Sequence, residues 1–449
     1  LGGYVASRRI VVVGGGAAGI GAAGAAKQVD PDAEVVVYTE FEDVGYSPCG
    51  IPYVHGHEIP TFEQLFLATK ETYEQAGIDI RYETRVTRLD AARREVEVEG
   101  QGTVPFDTLI LGTGFEYADP GVPGGDLDGL HYVKNIRRAI EWDPVLDHAK
   151  VAVVVEATPL GLEMVTGLAH RGLEVHLVDP RPWALAEVAD PDIMQPVQDS
   201  WEEMGVKLHF NTPVEAFVGD GKVRGVKTPE GEIPADVVVI CTHKRPNNRL
   251  AREAGLKIGS TGGIIVDQRM ATPTDGVYAA GDCTEIPHGV TRVPIQGLSG
   301  SHAYSQGKVA GTNAAGGDRV YEPVSVPWGM VAGKWMIGGV SFGETTANAL
   351  KIPFIMGVAQ GISRARYYPE MKMVRVKLLA DPNGHAILGA QMVGGEGIKE
   401  RADFLGVAVR KGITIEDLAW MENVYSPPIG ALNEPIALAA QNALARLKG

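Results

Sequence analysis

Arg9-Ile-Val-Val-Val-Gly-Gly-Gly-Ala-Ala-Gly19 is the stretch whose reading decides the fold of this 449-residue chain. Four consecutive apolar residues, Ile10 to Val13, read as a strand buried on both faces. They run directly into GxGxxG, met by Gly14, Gly16 and Gly19. A small-sided helical stretch follows, Ile20 to Gln28, then a second strand, Glu34-Val-Val-Val-Tyr38. Glu40 lies 21 residues after Gly19, where an acid is expected to take a ribose hydroxyl. In that context the glycines allow a tight turn. They also let backbone N–H groups approach a pyrophosphate at a helix N-terminus. The small side chains Gly21 to Ala26 predict close packing of this helix on a sheet.

The same layout recurs downstream with changes. Lys150-Val-Ala-Val-Val-Val155 is a second buried strand, Leu162 to His170 a helix, and Leu173 to Val178 a strand ending in Asp179. Glu156 and Thr158 stand in place of the first two glycines, and Gly161 keeps the third. A carboxylate there opposes an anionic dinucleotide, and Pro159 stiffens the turn. This half therefore reads as a Rossmann domain whose nicotinamide dinucleotide site is altered or lost.

Cys49, in Gly45-Tyr-Ser-Pro-Cys-Gly-Ile-Pro-Tyr53, is one of three cysteines, with Cys241 and Cys283. It is the best candidate for a redox thiol working against a flavin. Acting alone, it cycles through a mixed disulfide, a persulfide or a sulfenic acid. A helix start near Cys49 is expected to favour its thiolate. Cys241 lies in an apolar run and reads as packing; the neighbours of Cys283 read as a buried turn, with a second redox partner of Cys49 as the alternative. In Tyr278-Ala-Ala-Gly-Asp-Cys283, an acid after a strand-end glycine can bond a ribityl hydroxyl. His243 follows the strand Val237 to Thr242 and reads as structural.

Bulk properties limit the function classes. A net charge of −15 argues against nucleic acid and against an anionic membrane surface. No apolar run approaches the roughly 20 residues that span a bilayer. The N-terminal residues before the first strand are too few for a secretory signal, and the cysteine usage fits a reducing cytoplasm. No CxxC pair points to zinc. From about Pro323 the pattern becomes α+β. Val374-Arg-Val-Lys-Leu-Leu379 alternates like a half-exposed strand, Ala386 to Gly394 reads as another, and helices follow. Met330, Met336, Met356, Met371 and Met373 read as core or subunit-interface packing.

Together Gly14 to Gly19, Cys49-Gly-Ile-Pro-Tyr53, Arg245-Pro-Asn247, Tyr278 to Cys283, Gln306 to Gly311 and Tyr425-Ser-Pro-Pro428 resemble the pyridine nucleotide-disulfide oxidoreductases. The resemblance is to the single-cysteine branch, which holds coenzyme A-disulfide reductases, NADH oxidases and persulfide reductases. It implies an α/β fold with two Rossmann-like nucleotide-binding domains and a C-terminal α+β dimerisation domain. The implied segments are 1–116 and 249–322 for FAD, 117–248 for NAD(P)H and 323–449 for dimerisation. The implied cofactors are FAD and NADH or NADPH.

The resemblance also implies Cys49 as the redox thiol. Tyr425, with Tyr367 or Tyr368, would reach the active site across a homodimer. The candidate cofactor-binding residues are Gly14, Gly16, Ala18, Gly19, Glu40, Ser47, Val86, Thr113, Gly114, Gly281 and Asp282, with Gly161, Glu163 and Asp179 in the second half. The implied activity is reduction of a small-molecule disulfide or persulfide. The alternatives are oxygen reduction to hydrogen peroxide, or an FAD protein with a degenerate NAD(P)H site served by another donor. Ala17 stands where the oxidases and peroxidases of this branch carry a histidine. Ala25 and Lys27, beside Gln28, stand where coenzyme A-disulfide reductases carry arginines for the coenzyme A phosphates.

Overall fold

A computed structural model describes residues 7–297 and 299–447 of the chain. They fall into two compact units. The first comprises Leu1–Ser47, Glu63–Ala118 and His243–Val324; the second comprises Pro48–Phe62, Asp119–Thr242 and Ser325–Gly449. The segment Pro48–Phe62, expected with the first FAD segment, thus groups with the second unit. Among the described residues no helix is long and apolar enough to cross a membrane.

The first unit is built on a five-stranded parallel sheet. Its order is Val277–Ala279, Thr108–Leu111, Arg9–Val13, Glu34–Tyr38 and Ile78–Arg81. Arg9–Val13 takes the centre because its apolar run suits burial on both faces, and Ile10, Val11 and Val12 are wholly inaccessible. The small residues of the helix Ala17–Val29 serve a helix–helix contact as well as the expected sheet packing. A Cβ on Gly307 or Gly311 of the helix Gly300–Ala314 would fall 2.1 Å from the Ala18 carbonyl oxygen or 2.0 Å from that of Ala22. On the other side, a Cβ on Gly19 would lie 3.3 Å from Val12.

The second unit repeats the parallel sheet. Its order is Lys207–His209, Glu174–Val178, Val151–Val155, Val237–Ile240 and Leu130–Tyr132. Its C-terminal part is a five-stranded antiparallel sheet ordered Pro327–Ala332, Trp335–Val340, Ile387–Gly394, Met373–Ala380 and Ile355–Ile362. The helices Ile398–Lys411, Ile415–Ala419 and Pro435–Leu447 complete it.

Met373–Ala380 departs from the half-exposed strand expected of its alternation. Val374 and Val376 are buried, and so is the Lys377 side chain between them and Leu378. Its ammonium bonds Asp190 at 2.9 Å, Asp192 at 2.8 Å and Glu344 at 2.9 Å, which offsets the desolvation of a buried charge. Asp190 is itself buried, yet its carboxyl stays below the usual range. Burial alone would raise it, but the Thr345 N–H and Lys377 outweigh that. The methionines read as core or interface packing lie outside the buried core, half-buried or exposed.

Candidate functional site

The loop after Arg9–Val13 has the shape of an anion cradle. Gly14 sits at φ +108°, and a Cβ there would lie 2.2 Å from the Gly112 carbonyl oxygen. A Cβ on Gly19 would lie 1.9 Å from the Gly14 carbonyl oxygen, so the helix can approach its strand only with glycine here. Gly16, at the N-cap of the helix, differs from both. Its Cβ would meet no atom within 4 Å, and no side chain caps the helix there. Open space at that point, beside helix N–H groups without a side-chain cap, is what a dinucleotide pyrophosphate requires.

The other positions assigned to this cofactor lie in the same unit. Ala18 is buried in the first turn of the helix, against the point where a Gly281 Cβ would project, 2.9 Å from its own. Gly281, at φ +83°, donates its N–H to Gln306 Oε1 at 2.8 Å. Asp282 is largely buried and takes a 3.3 Å ion pair from Lys244. Glu40 is exposed just past its strand and pairs with Arg85 at 3.1 Å. Ser47 donates its N–H to the Leu65 carbonyl, and Val86 opens the strand Val86–Asp90. Thr113 Oγ1 donates to the Asn247 carbonyl at 2.6 Å, and the Gly114 carbonyl accepts from the Asn247 N–H. These residues suit FAD: an open pyrophosphate turn, an acid past the second strand and an acid at the end of Val277–Ala279. Lys27, the remaining basic residue of the helix, donates to the Pro31 and Ala33 carbonyls at 2.6 and 3.0 Å.

The equivalent loop of the second unit keeps the frame and changes the lining. A Cβ on Gly161 would lie 2.1 Å from the Glu156 carbonyl oxygen, matching the Gly19–Gly14 approach. Glu156 takes the left-handed conformation of Gly14, at φ +72°, where a non-glycine residue is uncommon. Thr158 caps the helix Pro159–His170: its hydroxyl accepts from the Gly161 N–H and donates to the Cys241 carbonyl at 2.6 Å. The repulsive carboxylate expected at Glu156 is countered by Arg181, 3.1 Å away. Arg181 also binds Asp179 through Nε and Nη2, both at 2.8 Å. Asp179 is fully buried and takes further N–H bonds from Ala157 at 2.6 Å and Arg181 at 2.7 Å. The sequence reading missed Arg181, although a cation two residues beyond the terminal acid was the available signal.

Cys49 is exposed on the 3₁₀ turn Pro48–Gly50, whereas Cys241 and Cys283 are free thiols in the buried core. The Cys283 thiol donates to the Leu111 and Ala280 carbonyls, and burial pushes both buried thiols up from their ordinary pKa. The helix expected beside Cys49 is short, Ile51–His55. It is anchored at three points to the nucleotide-type part of its unit. Gly56 and Gly167 meet so closely that a Cβ on Gly56 would lie 2.8 Å from the Gly167 Cα. Tyr53 donates to Glu163 at 3.3 Å, and burial with the Glu163 charge raises its phenol pKa. Buried His55 bonds Asp143 at 2.8 Å, and Arg171 holds Asp143 at 2.7 Å and the His55 carbonyl at 3.1 Å. These anchors were not read from the sequence, since His55, Asp143 and Arg171 are far apart along the chain. Tyr367 and Tyr425 are exposed with their phenol oxygens 3.1 Å apart, and Arg364 lies over the Tyr368 ring. His243 is exposed, and its carbonyl accepts from the Ala118 N–H.

The family model for pyridine nucleotide-disulphide oxidoreductases matches residues 8–307, and that for the family's dimerisation domain matches 329–435. An NADH oxidase of Methanocaldococcus jannaschii is 37% identical over 98% of this chain and 99% of its own length. An NAD(P)H coenzyme A polysulfide/persulfide reductase of Pyrococcus horikoshii is 29% identical over 97% of this chain and 98% of its own. Among solved structures, an NAD-dependent persulfide reductase from A. fulgidus superposes with a TM-score of 0.94 at 30% identity. That match covers 98% of this chain and 84% of the other.

Proposed function

The chain belongs to the pyridine nucleotide-disulphide oxidoreductase family, whose enzymes carry FAD and use NAD(P)H, and on that premise we propose that it reduces a disulfide or persulfide through Cys49. One observation carries this reading: Cys49 is exposed whereas Cys241 and Cys283 are buried, so of the three cysteines it is the one a sulfur substrate can meet. The relatives named for persulfide and polysulfide reduction support the substrate class.

In this reading Gly14, Gly16, Gly19, Glu40, Gly281 and Asp282 hold FAD, which when bound supplies two-electron transfer between nicotinamide and sulfur. The Cys49 thiolate attacks one sulfur of the substrate. A Cys49–sulfur bond forms, the substrate S–S bond breaks, and the departing thiolate takes a proton. Two electrons from NAD(P)H then break the mixed disulfide, releasing the second sulfur and restoring the Cys49 thiolate. The phenols of Tyr367 and Tyr425, shared through their hydrogen bond, donate to the departing thiolate across a homodimer. The anchors at Tyr53, His55 and Gly56 hold the helix that follows the thiol's turn in place during the exchange. A cytoplasmic, reducing location fits a thiol that must return to its reduced form.

Cys49→Ser is expected to abolish turnover of coenzyme A disulfide and of persulfides while FAD stays bound. Undiminished disulfide reduction by the variant would overturn the assignment. The M. jannaschii relative supports a second reading, in which oxygen is the acceptor. With Ala17 in the first glycine loop, that reaction is expected to stop at hydrogen peroxide; stoichiometric water would contradict this.

A further inference from the structure

Glu156 breaks a local rule without an evident structural gain. The matched loop of the first unit has glycine at this position, in the same left-handed region. Holding a glutamate there strains the backbone. Its carboxylate pairs with Arg181 at 3.1 Å, and both side chains are mostly buried. Arg181 is committed in every direction: Nε and Nη2 to Asp179, Nη2 also to Glu156, and Nη1 toward Glu187 at 3.5 Å.

This cluster lies past the end of the strand Glu174–Val178. In a Rossmann βαβ unit that is where the adenosine ribose binds, where an acid selects a free 2′-hydroxyl and an arginine admits a 2′-phosphate. Here the two usual determinants are bound to each other. Asp179 is fully buried and accepts four hydrogen bonds from Ala157 and Arg181, so it is a structural carboxylate. Arg181 has the charge and fork to take a phosphate, but Glu156 shares its Nη2 with Asp179 and Glu187 faces its Nη1. Three carboxylates against one guanidinium leave the corner negative, and a 2′-phosphate adds about two more negative charges.

We propose that Glu156 is a specificity-determining residue of the second dinucleotide site: by holding Arg181 it excludes a 2′-phosphate, which makes NADH the electron donor. Discrimination then comes from the glutamate in the glycine loop, with Asp179 acting only through Arg181. The inference rests on the reading that this site takes NAD(P)H.

The test measures binding, without a sulfur acceptor, to the FAD-loaded enzyme. Calorimetric titrations with ADP-ribose and with 2′-phospho-ADP-ribose compare the wild type, Glu156→Gln and Glu156→Gly. The wild type is expected to prefer ADP-ribose by roughly tenfold or more. Both variants are expected to shrink that preference by at least about fivefold, mainly through tighter binding of the phosphorylated probe. Should Glu156→Gln fail to fold, Glu156→Gly carries the test, since glycine accepts the left-handed conformation. A preference unchanged in the variants, or absent from the wild type, overturns the proposal while leaving the Cys49 chemistry intact. No binding of either probe also overturns it; if NADH then fails to reduce the flavin, the NAD(P)H part of the proposed function falls with it.

Discussion

Among single residues, Lys377 carries a buried charge that the strand Met373–Ala380 can hold only with charged partners. Lys377 reads as a surface lysine in an alternating strand, yet it lies buried among three carboxylates contributed by Asp190, Asp192 and Glu344. Lys377→Met is expected to destabilise the protein by about 3–5 kcal/mol, because buried Asp190 loses its counter-charge. Chemical denaturation checks this; a loss below about 1 kcal/mol would show that the cluster contributes little. Cys49 stood out as a candidate because it lies a short distance downstream of the glycine fingerprint and is one of only three cysteines. Arg181 did not, because its meaning depends on which way its side chain turns. A cation two residues after Asp179 reads as surface charge until the fold brings it onto Glu156.

At the scale of elements, two copies of one strand–loop–helix unit have diverged. The apolar runs Ile10–Val13 and Val151–Val155 made both parallel sheets legible, since only a doubly covered sheet suits continuous valine and isoleucine. The glycine spacing was legible for the same reason: Gly19 and Gly161 hold the helix against a loop carbonyl, a role no larger residue fills. What was not legible is the conformation of Glu156 and the Thr158 cap, which depend on side-chain partners. The loops give a matched pair of substitutions. Gly16→Ala places a methyl in the open space of the first cradle, and Gly24→Ala places one in open space along the same helix. Gly24→Ala is expected to raise stability by about 0.5–1 kcal/mol and leave FAD content unchanged. Gly16→Ala is expected to fold but retain FAD at least tenfold more weakly, roughly 1.4 kcal/mol. Equal FAD retention in the two variants would remove the cradle assignment.

At the scale of the whole molecule, the C-terminal part exposes large apolar side chains, among them Trp420 at 78% and Ile429 at 72% accessibility. Exposed apolar side chains of this size suit an interaction surface, and both residues lie within 329–435, the span matched by the family's dimerisation domain. Sedimentation is expected to show a homodimer, and Trp420→Asp with Ile429→Asp to shift it toward monomer. An unshifted dimer would place the interface elsewhere.

Stability is also expected to depend on pH. Burial holds His55 below its ordinary pKa and His131 at about 4, both rings lying against Trp142. A histidine kept neutral in the fold binds fewer protons than it does unfolded. Its contribution is therefore complete above about pH 6.5 and falls away as pH drops toward 4. His131 alone accounts for a loss of roughly 2–3 kcal/mol across that window. His131→Phe should flatten the decline in denaturation midpoint between those pH values, and an unchanged slope would assign it to other groups.

In the proposed function one thiol, Cys49, carries electrons between NAD(P)H and a sulfur substrate. An anaerobic reductive titration of the air-oxidised enzyme with NADH, followed at the flavin absorbance band, tests it most directly. The wild type is expected to consume about two equivalents of NADH per subunit, one for the flavin and one for oxidised Cys49, whereas Cys49→Ser consumes about one. An identical titration of the two proteins, each complete at about one equivalent, would contradict the claim.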